Sequence, residues 1–396
     1  MIKIKFFSDN LNVQNKTVIV RLDFNVPLKE NKILDHTRIE LALPFLKDLI
    51  KKKSKIIIVS HLGRPKSEKN RELSLIPVYK FLKKQLKTNI YFFMGDIDDE
   101  TKNKCSYLNE GEIILLENIR FFKGENENED NFAKKLASLG DIYINDAFSC
   151  SHRKQASIHK ITKYMNASYA GPLLKKEVEA INLIIANKKK PVTCIIGGSK
   201  ISTKIGVVLN LIKNVNNIII VGAMANNFLA FKGFKTGKSL MEKDTNKIIN
   251  KIYEEAQKNN CNIVIPEDCN VSDQFDGLGK SRKLNEIKDD EIILDIGAKT
   301  IKNINKIIDQ SNTVMWNGPA GYFENKNFSI GTFSIAKKIS NNTANKSLIS
   351  IIGGGDTISA INKSDSKLAF THLSTAGGAF LEFLEGKDLP GLNVLK

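Results

Sequence analysis

The sequence contains no apolar run long enough to span a bilayer: runs such as residues 56–59 are strand-sized, and the opening MIKIKFFSDN lacks the apolar core of a signal peptide. A cytoplasmic, soluble protein is the expectation. Paired cysteines are missing too. Cys105, Cys150, Cys194, Cys261 and Cys269 are odd in number and scattered with no CxxC, which excludes a disulfide framework and a cysteine-based zinc site and leaves reduced packing residues. Arginine is scarce. Against 60 Lys plus Arg and a net charge of +17, arginine occurs only at 21, 38, 64, 71, 120, 153 and 282, and all but the last lie in the first 153 residues. A lysine-rich chain that keeps arginine in one region needs forked donors there, of the kind that suit carboxylate or phosphate. There is also no aromatic-rich sheet motif, zinc finger or basic helix, which argues against reading the positive charge as a nucleic-acid footprint.

What is present is a long alternation of apolar runs and amphipathic stretches. At 396 residues, two domains are expected. Residues 17–22, 55–60, 89–93, 112–116 and 141–145 read as strands with helices such as 38–52 and 75–86 between them. Residues 192–196, 218–222, 262–265, 292–296, 313–316 and 348–352 repeat the scheme, with helices such as 202–213 and 244–258. The fold class is α/β: two doubly wound, Rossmann-like parallel-sheet domains, with chemistry at the carboxyl ends of the strands. A proline-initiated amphipathic helix over 172–187 reads as the connector between residues 1–171 and 188–377.

The strand ends of the two halves differ in kind. In the first they carry RLDFNVP (Arg21, Asp23, Asn25), SHLGRP (His61, Arg64), ENIRFF (Arg120) and NDAFSCSHR (His152, Arg153), and Arg38 opens the first helix. Together they predict a concave basic patch for a small polyanion. In the second half the ends carry glycine: GGSKISTK (Gly198, Lys200, Lys204), VGAM, DIGAKT (Gly297), WNGPAGYFE (Asn317, Glu324) and IIGGGDT (Gly353, Gly354, Gly355, Asp356, Thr357). A tight turn uses glycine as well, but the recurrence with a lysine pair predicts a nucleotide phosphate cradle. GFKTGKS at 233–239 imitates a P-loop, with one residue too few between its glycines and a helix, not a strand, before it. A P-loop kinase and a basic nucleic-acid-binding protein are the competing readings.

In their order, RLDFNVP, SHLGRP, NDAFSCSHR, WNGPAGYFE, IIGGGDT and the closing STAGGAFLEFLEGKDLPGL resemble the phosphoglycerate kinase family over nearly the whole chain. The resemblance implies reversible phosphoryl transfer from 1,3-bisphosphoglycerate to ADP, giving ATP and 3-phosphoglycerate, in glycolysis and gluconeogenesis. It also implies magnesium carried on the nucleotide, hinge closure and a monomer. It assigns Arg21, Asp23, Asn25, Arg38, His61, Arg64, Arg120 and Arg153 to the phosphoglycerate. To the nucleotide it assigns Gly198, Lys204, Gly297, Asn317, Glu324 and Gly353 to Thr357, with Asp356 near the metal. Arg38 and Lys204, with Lys200 in support, would carry catalysis, and residues 378–396 would fold back onto the first domain. Val221, Ala223 and Ala376 stand where many relatives have glycine, and Ala298 where proline is common.

Overall fold

The computed structural model describes residues 4–65, 71–185, 189–364 and 367–396. Two six-stranded parallel sheets, each flanked by helices, form its frame. In the first, the strands run edge to edge as Ile90–Phe93, Ile113–Leu116, Lys55–Val59, Thr17–Arg21, Ile142–Asn145 and Ala167–Ala170. In the second the order is Asn262–Val264, Asn217–Ile220, Val192–Ile196, Thr313–Asn317, Ile349–Gly353 and His372–Leu373. Both carry helices on two faces, which is why their central strands are almost uninterrupted Ile, Val and Leu, as in Ile56–Val59, buried without exception. Each such side chain contributes about 1.5–3 kcal/mol by leaving water. No helix among the described residues is long and apolar enough to cross a membrane.

In each sheet the first strand lies at the centre, and later strands add on both sides of it. The crevice where the order reverses is therefore beside Thr17–Arg21 in one sheet and beside Val192–Ile196 in the other. One expected member of the second sheet lies elsewhere. Ile292–Ile296 pairs antiparallel with Asp268–Ser272, which also pairs with Lys280–Lys283, in a separate three-stranded sheet. The glycine-bearing ends thus do not all belong to one sheet. Short strands such as Ala167–Ala170 and His372–Leu373 carry too little periodicity to be read in advance.

The chain divides into a unit of Met1–Val178 with Asp388–Lys396, and a unit of Glu179–Lys387. The division falls inside the helix Pro172–Ile185; the last two residues of the expected connector, 186 and 187, lie outside the described residues. The closing segment is shared between the units, where the sequence suggested one destination. Helix Gly378–Leu384 stays with the second unit, where Asn210 donates to the Leu384 carbonyl (2.7 Å) and Phe380 packs beside Gly353. Only residues 388–396 join the first unit, where the Gly391 amide donates to Ser151 (2.8 Å) and the Lys5 amide to Leu395 (2.8 Å).

In the second unit the strand ends at Gly197 and Gly318 meet backbone to backbone. A Cβ on Gly318 would lie 2.4 Å from the Gly197 carbonyl, and its φ of +103° is a region L residues avoid. Gly318→Ala is expected to cost roughly 1–3 kcal/mol from backbone strain alone, read as a lowered urea midpoint at unchanged m-value. A wild-type midpoint would contradict this close approach.

Candidate functional site

The first unit gathers its polar strand ends at the central strand. Arg38, in the first turn of helix Thr37–Lys51, donates from its guanidinium to Asp23 Oδ2 at 2.5 Å, and Ser149 Oγ donates to the same oxygen. The other oxygen, Asp23 Oδ1, accepts the Asn25 amide at 3.0 Å. Burial pushes the Asp23 carboxyl up, but Arg38 first, with the Ser149 hydroxyl and the Asn25 amide, opposes it, and the pKa is held down at about 2. Asn25 Oδ1 accepts the Gly63 amide (2.8 Å) and Arg120 donates to the Gly63 carbonyl (2.7 Å), so the loop that carries exposed Arg64 is pinned at both backbone groups. Arg120 is itself buried, with no protein partner for Nε among the described residues. Burial lowers its pKa to about 10, with neighbouring Arg21 and Arg153 adding to the fall and Cys150 and Glu125 opposing it. Arg153 is half-buried and donates to His152 at 3.2 Å.

Arg21 differs from the other expected binding residues. It is fully buried and its guanidinium is spent on Ser157, the Leu22 carbonyl and His61, so it underlies the cluster and offers no accessible surface to a ligand. Strand Thr17–Arg21 is buried along its length after Thr17, Arg21 included.

The second unit holds a cavity of about 370 Å³ whose polar rim includes Gly198, Ser199, Glu324 and Asp356, and whose walls include Leu229, Leu240, Leu294 and Phe323. Lys204, at the head of helix Ile205–Ile212, donates from Nζ to Asn317 Oδ1. Burial drives the Lys204 pKa down to about 8, with the carboxylate of Asp356 pulling the other way. Lys200 is exposed on the same loop. Helix Gly355–Asn362 begins after Gly354 at φ +97°, and a Cβ on Gly355 would meet nothing within 4 Å, so the head of the helix, exposed at Gly355 and Asp356, leaves room for an anion. Asp356, exposed in that first turn, offers a hard carboxylate oxygen beside the cavity, a donor that suits magnesium carried on phosphates.

Other expected nucleotide residues lie behind this surface. Thr357 is buried and accepts the Gly318 amide at 2.7 Å, tying one turn to the next. The Cβ direction of Gly353 is filled by Phe380, and that of Gly297 by the carboxylate of Asp268. In the P-loop look-alike, a Cβ on Gly237 would lie 2.2 Å from the Glu291 carbonyl, and the Lys238 amide donates to that same carbonyl. The segment is packed on that turn, and its Lys238 amide is already taken. Reading strand ends did not find the apolar walls: Leu229, Leu240, Pro266 and Leu294 come from four separate segments and carry no local signature. Ser149 and Ser157 were likewise missed; only their partners identify them.

The lowered pKa of Lys204 sets an upper pH limit on its ammonium. The ammonium is present below about pH 8 and lost above it, so kcat/KM for a phosphate-bearing substrate held beside it is expected to fall as pH rises through about 8. In Lys204→Arg, whose guanidinium keeps its proton, that fall is expected to vanish whatever the residual rate. An unchanged alkaline limb in Lys204→Arg would contradict the assignment.

A family model described as phosphoglycerate kinase matches residues 8–387. The chain is 46% identical over 390 residues to the phosphoglycerate kinase of Wolbachia sp. subsp. Drosophila simulans (strain wRi), covering 98% of each chain. It is 42% identical over 395 residues to that of Rhizobium meliloti (strain 1021), covering 99% of this chain and 98% of the relative. Among solved structures, phosphoglycerate kinase from Coxiella burnetii matches with a TM-score of 0.89 at 40% identity, over 98% of this chain and 97% of that one. The enzyme from Pyrococcus horikoshii OT3 matches with a TM-score of 0.82 at 28% identity, over 98% of both.

Proposed function

Since the chain belongs to the phosphoglycerate kinase family, whose members transfer phosphate to a carboxyl group, we propose that it interconverts 1,3-bisphosphoglycerate plus ADP with 3-phosphoglycerate plus ATP, as a step of glycolysis and gluconeogenesis. The observation that carries this reading is the pairing of two different strand-end surfaces. One is an arginine cluster around Asp23; the other is a glycine-opened helix terminus beside Lys204.

The acceptor oxygen is a carboxylate, ionised at neutral pH, so no residue is required to remove a proton from it. The protein's work is positioning and charge stabilisation. Arg64, Arg120 and Arg153 hold the phosphate of the phosphoglycerate, and Asp23 and Asn25 fix its orientation. Arg38 neutralises the carboxylate that receives the phosphoryl group. On the other unit the amides after Gly354 and the Lys204 ammonium hold the nucleotide phosphates, Glu324 holds the ribose, and Asp356 would hold the magnesium that those phosphates bring. Magnesium, when bound, neutralises phosphate charge. Acceptor and nucleotide residues belong to separate units, so a closing motion about the helix Pro172–Ile185 precedes transfer, brings the reacting oxygens in line and keeps water from the acyl phosphate.

The test is an assay of ATP- and magnesium-dependent phosphorylation of 3-phosphoglycerate, with the acyl phosphate drawn off by a coupling enzyme. Saturable turnover in both substrates is expected. Absence of 3-phosphoglycerate-dependent ATP consumption, with tight saturable RNA binding in its place, would overturn the reading in favour of a nucleic-acid-binding protein.

A further inference from the structure

We propose that the buried series Glu125, Ser157 and Arg21 is a positioning device that locks His61 in its Nε2–H tautomer, so that the ring serves the phosphoglycerate as a neutral hydrogen-bond donor. This rests on the proposed function for the identity of the ligand, but the tautomer itself follows from the protein alone.

The series is continuous. Glu125, buried completely, accepts from the Ser157 amide on Oε2 and from Ser157 Oγ on Oε1, both at 2.7 Å. Ser157 Oγ in turn accepts from Arg21 Nε at 3.0 Å, and Tyr143 Oη fixes the Ser157 carbonyl at 2.6 Å. Arg21 Nη1 is held by the Leu22 carbonyl, which leaves Nη2 aimed at His61 Nδ1, 3.2 Å away. A guanidinium has only donors, so a ring nitrogen bonded to it must be the acceptor. The proton of neutral His61 is then on Nε2, the ring's one remaining donor.

The surroundings oppose the alternatives. Asp23, His61 and Cys150 place an oxygen, a nitrogen and a sulfur within 4.8 Å of one another, a donor set that could suit a transition metal. The Arg21 guanidinium already takes that place, 3.2 Å from Nδ1 and 3.8 Å from Cys150 Sγ, while Arg38 neutralises Asp23. Protonation of the ring is opposed by burial first, with Arg21, Arg120 and Arg38 adding to it, while Asp23, 4.0 Å from Nδ1, pulls the other way. A second positive charge on Nδ1 would face Arg21 directly. His61 is therefore a member of the basic cluster that donates without adding charge, and three buried residues beneath it keep it so.

The test reads the tautomer directly. In protein labelled with ¹⁵N-histidine, with His61 assigned by the resonances lost in His61→Gln, ligand-free wild type at neutral pH is expected to show an unprotonated Nδ1 and a protonated Nε2. In Ser157→Ala, which removes only the hydroxyl between Glu125 and Arg21, a mixture of tautomers is expected. The KM for 3-phosphoglycerate should rise several-fold there while the KM for ATP is unmoved. A glutamine amide can mimic Nε2–H and an asparagine amide Nδ1, so the rise in phosphoglycerate KM should be about tenfold larger for His61→Asn than for His61→Gln. An Nδ1–H ring or an imidazolium in wild type would overturn the inference, as would a Ser157→Ala spectrum identical to wild type or equal losses in the two His61 variants. Wild type with the expected tautomer but no activity on 3-phosphoglycerate would remove the proposed function and the donor role with it, leaving the tautomer assignment standing.

Discussion

Lys204→Ala is expected to lower turnover roughly 10²–10³-fold, the effect of removing one charge-stabilising group from a water-poor site, about 3–4 kcal/mol of transition-state stabilisation. The environment of Lys204 accounts for the size. Burial has already stripped the ammonium of part of its water, as its pKa near 8 records, so little solvent needs to be displaced when a phosphoryl group arrives. Fold stability should change little, because among the described residues the ammonium's hydrogen-bond partner is the neutral Asn317 side chain, and Asp356, the carboxylate that attracts it, is exposed. Steady-state rates together with a thermal melt separate the two: a lost rate at an unchanged Tm is predicted, and full activity would remove Lys204 from the mechanism. Lys238→Ala serves as the comparison, since a P-loop mechanism would reverse the two results.

Arg38→Ala is expected to cost a similar 10²–10³-fold in kcat. Arg38 is the first of the groups that lower the Asp23 pKa, and its loss frees that carboxylate to repel the carboxylate it should help to position. A pH-dependent stability change accompanies this. The folded-state pKa of Asp23, about 2, lies below its ordinary 3.8, so the interaction stabilises the protein above the ordinary value and fades as pH falls through about 2. In Arg38→Ala that contribution shrinks. The gap in stability between wild type and variant should therefore be widest at neutral pH and narrow in acid, measured by urea denaturation at a series of pH values. A gap independent of pH would show that Arg38 acts through something other than Asp23. Arg38→Lys should recover part of the stability gap but less of the rate, because an ammonium lacks the fork that suits a carboxylate.

The parts of the molecule legible in its sequence are those with a local cause. Parallel strands buried on both faces must be apolar runs, so the 55–60 and 192–196 strands could be read to within a residue at each end. Residues that interrupt such runs at their carboxyl ends stand out for the same reason, which is how Arg120 and Asp356 could be picked from the chain alone. What was not legible depends on contacts distant in sequence. Nothing local in Ile292–Ile296 says that it pairs with Asp268–Ser272 in place of the large sheet. Arg21 ends a strand as a binding residue would, yet Ser157, 136 positions later, takes its guanidinium inward. The apolar wall of the second unit's cavity is assembled from Leu229, Leu240, Pro266 and Leu294, none of which carries a local signature that would single it out.

The most direct test of the central claim is amide hydrogen exchange on the whole protein with each ligand separately. 3-Phosphoglycerate is predicted to protect residues 21–25, 61–64, 118–122 and 149–153. Magnesium-ADP is predicted to protect 197–204, 317–324 and 353–357, with neither ligand alone protecting the other's set to the same extent. Protection of both sets by one ligand, or of neither by its own, would contradict the division of acceptor and nucleotide between the two units.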